Sequence, residues 1–254
     1  MSAVPQLAPT RHKLYVELAQ NEADIRAAQQ LRYRIFAEEL GAKLNSAELG
    51  VDTDRFDPYC QHLLVRESAT DRVVGSTRLL TDDGAAAAGG FYSAGEFDIN
   101  PILALDGQRL EVGRTCIAPE YRQGAAIAVL WSGLAGFIHL NHIDYLFGCA
   151  SIELDDGGIR AGAIMQRLRQ HAMATAELHV LPKLPLPEAE LPAEENLTAP
   201  MPPLLKAYVR LGARACGEPC WDPDFKVADV LMLLDVDELN PAYSRHFLDR
   251  AAKD

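Results

Sequence analysis

The chain has 254 residues, 48% hydrophobic and 24% charged, which is enough apolar material for a sizeable core and too much for a disordered chain. Its formal net charge of -12 argues against nucleic acid as the main partner, and any acidic protein partner must meet a local basic patch. The five cysteines are an odd count with no C-x-x-C pair, and Cys216 and Cys220 have no further ligands nearby in sequence, so a reduced cytoplasmic protein without a metal site is expected.

Residues 1–13 contain Pro5 and Pro9 but no apolar run, the pattern of a flexible N-terminus rather than a signal peptide. LYVELA at 14–19 predicts a first strand. Asn21 followed by Asp24 predicts a capped helix whose apolar residues Ala28, Leu31 and Ile35 share one face, with Gly41 as its stop. Residues 45–61 are polar and irregular and carry Asp52, Asp54 and Asp57. HLLVRE and VVGSTRLL, joined by a turn at 69–72, predict a hairpin, and the Gly- and Ala-rich residues 82–95 predict a flexible loop.

LEVGRTCIAP predicts a strand ended by Pro119, followed by the turn YRQG and an apolar helix. No residue from Gln123 to Ile143 is formally charged, but Ser132, His139, Asn141 and His142 interrupt the run, and its dense apolar part is shorter than a bilayer span; a buried helix is expected. YLFGCASI predicts a buried strand, 155–158 a loop and 162–173 a helix. Seven of the fifteen prolines lie in 181–203, the pattern of a long connection or lid. A helix over 204–215, the strand VADVLMLLDV and a last short helix in PAYSRHFLDR follow. This order predicts an α/β or α+β fold with one mixed central sheet flanked by helices.

The ordered set LRYRIFAEE, DTDRFD, VVGSTRLL and LEVGRTCI resembles the acyl-homoserine-lactone synthases and their N-acyl amino acid synthase relatives, which share a GNAT-like fold. Three further blocks, GCASIELDDGG, PPLLKAYVRLGARACGEPCWDPDFKVADVLMLLDV and YSRHFL, extend the resemblance over most of 14–248 and turn it toward the bacterial ornithine N-acyltransferases. The resemblance implies a GNAT-like core at 14–180, the Pro-rich insertion at 181–203, and a C-terminal extension at 204–254 that completes the same domain. It also implies transfer of a 3-hydroxyacyl chain from acyl carrier protein to the α-amine of ornithine, giving lyso-ornithine lipid. No tightly bound cofactor is implied, the acyl-phosphopantetheine arm of the carrier protein being a co-substrate. Coenzyme A-dependent relatives usually have Gln or Arg where this chain has Tyr121, though Ala126 fits the other position of their loop; the departure speaks against coenzyme A as donor and not against a carrier protein.

Aminolysis of a thioester needs a neutral amine, a polarised carbonyl and a held donor arm. Glu111 is the candidate base and Arg114 its catalytic neighbour; a structural pairing of Glu111 with Arg114 or Arg78 is the alternative. Arg32, Arg78, Asp54 and Asp57 are candidates to form, with Arg114, an ion-pair network that fixes 45–61 over the acceptor, and Phe36 to line the acyl path. Arg122, Gln123, Gly124, Ala125 and Ala126 form a turn opening a helix, suited to the phosphate of the arm. Lys206, Arg210 and Arg214 fall at i, i+4 and i+8, one basic face for docking acyl carrier protein or anionic lipid, if 204–215 is helical throughout. His62 reads as structural. Glu96 and Asp98 read as exposed, or as meeting a cationic acceptor. Competing readings are acyl-homoserine-lactone synthesis from S-adenosylmethionine, another amino-acid acceptor, and a non-catalytic module that holds carrier protein or lipid. Peripheral contact with a membrane is consistent with an amphiphilic product.

Overall fold

The computed structural model describes residues 13–122, 125–186 and 199–239. Strand β1 (Leu14–Leu18) leads to α1 (Glu22–Tyr33), which is capped as its sequence predicts: Asn21 Oδ1 accepts from the Asp24 amide at 3.0 Å. The Asp24 carboxylate in turn accepts from the Gln20 amide. The helix passes straight into a π-helical turn, Arg34–Glu39, and stops at Gly41 in the left-handed region. The irregular segment, with single turns at Ala47–Leu49 and Asp57–Tyr59, delivers the chain to β2 (Gln61–Glu67) and β3 (Val73–Thr81).

Residues 82–95 are ordered differently from the loop expected. Thr81 caps a helix, α2 (Asp82–Ala88), by accepting from the Gly84 amide at 3.3 Å; Asp82 and Asp83 lie in its first turn and Gly89 ends it in the left-handed region. The alanine run therefore acts as a helix former once capped. A 3-10 turn, Tyr92–Gly95, follows, then β4 (Phe97–Asp98) and the one-turn α3 (Asn100–Leu103). β5 (Arg109–Ile117), the apolar α4 (Ala126–Leu140), β6 (Tyr145–Glu153) and α5 (Ile159–His171) come next.

β7 (Leu181–Pro182) pairs with β4, and the Lys183 amide donates to the Glu96 carbonyl, so the Pro-rich segment starts fastened to the body. Most of that segment, 187–198, lies outside the described residues, as do the last short helix expected in 241–250 and all of the N-terminus except Lys13. The chain closes with α6 (Pro203–Leu211), β8 (Arg214–Ala215), β9 (Cys220–Asp222) and β10 (Val227–Asp235).

The main sheet runs β1-β2-β3-β5-β6-β10-β8, with β9 also on β10. Every pairing is antiparallel except β5 with β6. One core, which includes Leu31, Leu64, Leu130, Ile164 and Leu205, lies under α1, α4, α5 and α6; a second, with Phe91, Phe97, Ile102, Phe147 and Leu231, lies on the opposite face. Alternate residues of β10 serve the two: Ala228, Val230, Met232 and Leu234 the first, Leu231 and Leu233 the second. Asp229 takes a position where this pattern calls for an apolar residue.

Two local features open the sheet at its middle. β5 and β6 are in register only from Arg109↔Tyr145 to Glu111↔Phe147 and then part. Gly148 stands at the parting, where a Cβ would collide with the Val112 carbonyl. On the other side of β5 the register with β3 jumps from Ser76↔Cys116 to Arg78↔Gly113, so Thr77 faces both Arg114 and Thr115. This bulge holds Arg114 in the left-handed region (φ 51) and re-aims its side chain.

Candidate active site

The parting strands border a cavity of about 220 Å³, lined among others by Arg78, Tyr92, Glu111, Arg114, Ser151, Tyr208 and Asp229. A second, more open and mainly apolar groove of about 650 Å³ runs between the end of β5, α4 and α6, past Ile117, Ile127, Trp131 and Leu211. Phe36, Leu40, Thr115 and Leu204 line both, so the two spaces meet at that wall. The first is smaller than the ~300–1,000 Å³ typical of drug-sized ligands, whereas the second lies within that range.

Glu111 is buried in the wall of the smaller cavity. Neither expected partner, Arg78 nor Arg114, bonds to it. Its Oε2 accepts from the Tyr92 amide and its Oε1 from the Ser93 amide, each at 2.7 Å, and Oε1 also accepts from the Ser93 hydroxyl. Glu111 thus clamps the start of the 3-10 turn. A carboxylate offers about four lone-pair sites, so one on Oε2 is left for a ligand. Burial raises its pKa, against the lowering effect of those hydrogen bonds.

Arg32 and the aspartates form one network. Arg32, 1% exposed, holds Asp57 with two parallel bonds of 2.9 and 3.0 Å, and holds Asp52 through Nε at 2.9 Å and through the Asp52 carbonyl. Arg78 donates to Asp54 at 2.7 Å and approaches Asp57 at 3.4 Å. Arg114 lies 3.3 Å from Asp52 and 3.6 Å from Asp54. Burial alone would raise the pKa of Asp57, but the Arg32 bonds and the charges of Arg32 and Arg78 hold it well below the usual carboxylate range.

Arg78 and Arg114 reach the cavity; Arg32, Asp54 and Asp57 do not line it and instead stand behind, fixing the two arginines. Asp52, which sequence reasoning left out of the site, is as central to the network as Asp57. Its signal was its place in DTDRFD, two residues before Asp54. The Arg114 guanidinium packs over the rings of Tyr92 (4.9 Å) and Phe225 (4.5 Å), and its Nε is buried without a hydrogen bond. His62 is buried against the Asp57 carbonyl at 3.1 Å and burial lowers its pKa, which fits a structural role.

Of the expected phosphate turn, Gln123 and Gly124 lie outside the described residues. Arg122 lines the groove while its guanidinium grips Glu39 at 2.5 and 2.8 Å. Ala125 and Ala126 begin α4, whose N-terminus has no side-chain cap and no acid in its first turn. Tyr121 points into the body, its hydroxyl 2.8 Å from Glu67. Phe36 lies where a path residue should, at the shared wall, edge-on to Phe225.

The basic face is corrected. Gly212 ends α6 in the left-handed region, so Arg214 is not helical; it stands in β8 and donates to the His171 carbonyl at 3.1 Å. Lys206 and Arg210 remain, both on the rim of the groove. Glu96 was expected to be exposed but is half-buried, with its carboxylate accepting from Cys149 at 3.1 Å; Asp98 is exposed as expected.

A split parallel pair in a mixed sheet, beside a helix that starts at an apolar groove, defines an acyltransferase of the GNAT class. The model of the Acetyltransferase (GNAT) domain matches residues 31–132. The chain belongs to the L-ornithine N(alpha)-acyltransferase family. It is 36% identical over 251 residues to the L-ornithine N(alpha)-acyltransferase of Brucella abortus (strain 2308), covering 92% of this chain and 88% of the relative. The same enzyme of Rhodobacter capsulatus is 34% identical over 253 residues, covering 92% and 95%. The fold is similar to that of FeeM, an N-acyl amino acid synthase from uncultured soil microbes (TM-score 0.53, 13% identity, covering 89% and 93% of the two chains). It is likewise similar to that of the AHL synthase LasI (TM-score 0.52, 12% identity, covering 94% and 96%). Among the described residues no helix is long and apolar enough to cross a membrane.

Proposed function

We propose that this acyltransferase moves a 3-hydroxyacyl chain from the phosphopantetheine arm of acyl carrier protein to the α-amine of L-ornithine, giving lyso-ornithine lipid. The observation that carries the reading is the meeting of a small, arginine- and carboxylate-lined cavity with a long apolar groove at Thr115, Phe36, Leu40 and Leu204. The cavity takes the amino acid and the groove takes the acyl-pantetheine. The names of the family members supply the acceptor.

In this reading Glu111 takes a proton from the α-amine, directly or through a water, and its raised pKa makes it a stronger base than a free carboxylate. The amine nitrogen attacks the thioester carbonyl, the C–N bond forms, the C–S bond breaks, and the pantetheine thiolate leaves and takes up a proton. The open N-terminus of α4 with Arg122 meets the phosphate of the arm, and Lys206 and Arg210 meet the acidic carrier protein. The product is amphiphilic, and peripheral contact of a cytoplasmic enzyme with the membrane is a corollary.

The test is thiol release from 3-hydroxyacyl carrier protein with and without ornithine, with mass spectrometry of the product. Acyl-coenzyme A and S-adenosylmethionine are offered in parallel as donor and acceptor. Ornithine-dependent release giving an N-acyl-ornithine is expected. Release only with S-adenosylmethionine, or none with folded protein and a competent donor, ends the reading.

A further inference from the structure

Beside the small cavity stands a group of carboxylates that the acyl-transfer step does not use. Single carboxylate oxygens of Glu96, Asp222 and Asp229 lie within 4.8 Å of one another. They come from three distant parts of the chain: Glu96 just after the 3-10 turn that Glu111 clamps, Asp222 at the end of β9, and Asp229 inside β10. Asp222 and Asp229 line the cavity that also holds Arg114 and Glu111.

Asp229 shows that the group is built toward a ligand. It is 4% exposed, in the place of an apolar residue on its strand face. Its Oδ1 accepts from the hydroxyl of Ser151, its cross-strand neighbour, at 2.6 Å, and its other oxygen has no hydrogen bond among the described residues. No Lys, Arg or His forms an ion pair with Glu96, Asp222 or Asp229 among the described residues, although every other buried aspartate of the site faces arginine. A buried carboxylate without a counter-ion is costly unless something supplies the positive charge. The cost is visible in the titration. Burial and then the nearby Asp229 push Glu96 up to about 8, and burial, against the Ser151 bond, pushes Asp229 up to about 6.

Arg114, which lines the same cavity, is close enough for its charge to act on Asp229; its Nε lies 3.3 Å from Asp52 without a hydrogen bond. Tyr92 lines the same cavity with its ring under Arg114. Arginine and unpaired carboxylate therefore line the same cavity.

We propose that Glu96, Asp222 and Asp229 form the specificity wall that receives the side-chain ammonium of the acceptor while Arg114 receives its α-carboxylate, so that the enzyme selects a dibasic amino acid over a neutral one of equal length. The assignment rests on the reading of the small cavity as the acceptor site. An ammonium suits the wall better than a divalent cation. Such an ion takes six or more oxygens, and here one Asp229 oxygen is held by Ser151 and one Asp222 oxygen by the amides of Asp224 and Phe225.

The experiment compares L-ornithine with L-norvaline, which has the same carbon chain without the terminal amine, in wild type and in Asp229→Asn. The readouts are donor thiol release and the thermal midpoint of the free protein at pH 8. The expected result has three parts. The wild type prefers ornithine. The variant loses that preference by about 10-fold or more, mainly through the ornithine KM rather than kcat. Its thermal midpoint equals or exceeds that of wild type, because a buried unpaired charge is gone. An equal effect of the variant on both amino acids, or a lowered midpoint with the preference intact, overturns the wall. So does wild-type activity lost in EDTA and restored by Mg²⁺ or Ca²⁺, which would give the carboxylates to a metal. If wild type acylates neither amino acid, the acyl-transfer reading fails on its own. The wall is then tested by whether ornithine, but not norvaline, raises the midpoint of wild type and fails to raise that of Asp229→Asn.

Discussion

Arg32 gives two guanidinium nitrogens to the two carboxylate oxygens of Asp57, at 2.9 and 3.0 Å, with both side chains buried. The pair joins α1 to the turn before β2 and, through Asp52 and Asp54, sets Arg78 and Arg114 in place. Arg32→Met leaves Asp52 and Asp57 buried without their main partner and is expected to cost about 3–5 kcal/mol. Arg32→Lys keeps the charge without the fork and recovers only part of the loss. Urea denaturation at pH 7 measures both; a loss within ~0.5 kcal/mol for Arg32→Met would mean that the network is not integral to the fold.

The same pair sets the acid limit. The folded pKa of Asp57 is lowered, so its stabilisation is fully present above the unfolded value of about 3.9 and is lost as pH falls below it. Buried His62, whose pKa is lowered too, adds a loss that begins below its ordinary value of about 6.5. The urea midpoint should fall between about pH 6 and 3, and Asp57→Asn should flatten the lower half of that fall while lowering the plateau.

Glu111→Gln replaces an acceptor-only group by one whose amide meets the Tyr92 or Ser93 N–H groups head-on. A fall in kcat of about 10²–10⁴ is expected if Glu111 moves the proton. Ser93→Ala removes one bond to the same carboxylate but leaves the base, and should lower kcat far less. A Glu111→Gln enzyme with the full wild-type rate would remove Glu111 from the chemistry and leave it as the clamp of the 3-10 turn.

The groove is tested at Ala128 and Lys206, which both line it. Ala128→Trp fills space that the proposed reading gives to the donor, so the donor KM should rise while the ornithine KM changes little. Lys206→Glu should weaken use of carrier-protein donor several-fold at low salt, with the difference shrinking above ~0.15 M, where surface charges are screened within about 8 Å. Use of an acyl-pantetheine lacking the protein should be spared. Equal effects on both donors would move the docking surface elsewhere.

Much of this was legible because it is local. Asn21 and Asp24, the hairpin and the apolar α4 all lie within a few residues of the signals that mark them. Two errors were also local. Thr81 followed by Asp82 and Asp83 is a helix start that the surrounding glycines masked, and Gly212 is a helix stop that puts Arg214 out of line with Lys206 and Arg210. What could not be read was assembled by the sheet. Asp222 and Asp229 are brought together by the pairing of β9 with β10, and Glu96 joins them through Cys149 of β6; the sequence hinted at Glu96 as a partner for a cationic acceptor and at Asp229 as an aspartate within an apolar run, but not at their meeting. The bulge that turns Arg114 is likewise a property of two strands in register, not of either alone.

The wall of Phe36, Leu40, Thr115 and Leu204 belongs to both spaces. If, as proposed, acceptor and donor fill the two sides, each touches side chains that the other also touches, the arrangement through which their binding would be linked. Whatever factor a bound donor applies to acceptor affinity, a bound acceptor applies to donor affinity. In the proposed reading the four-residue partition couples donor to acceptor, and order-of-addition kinetics measure that coupling.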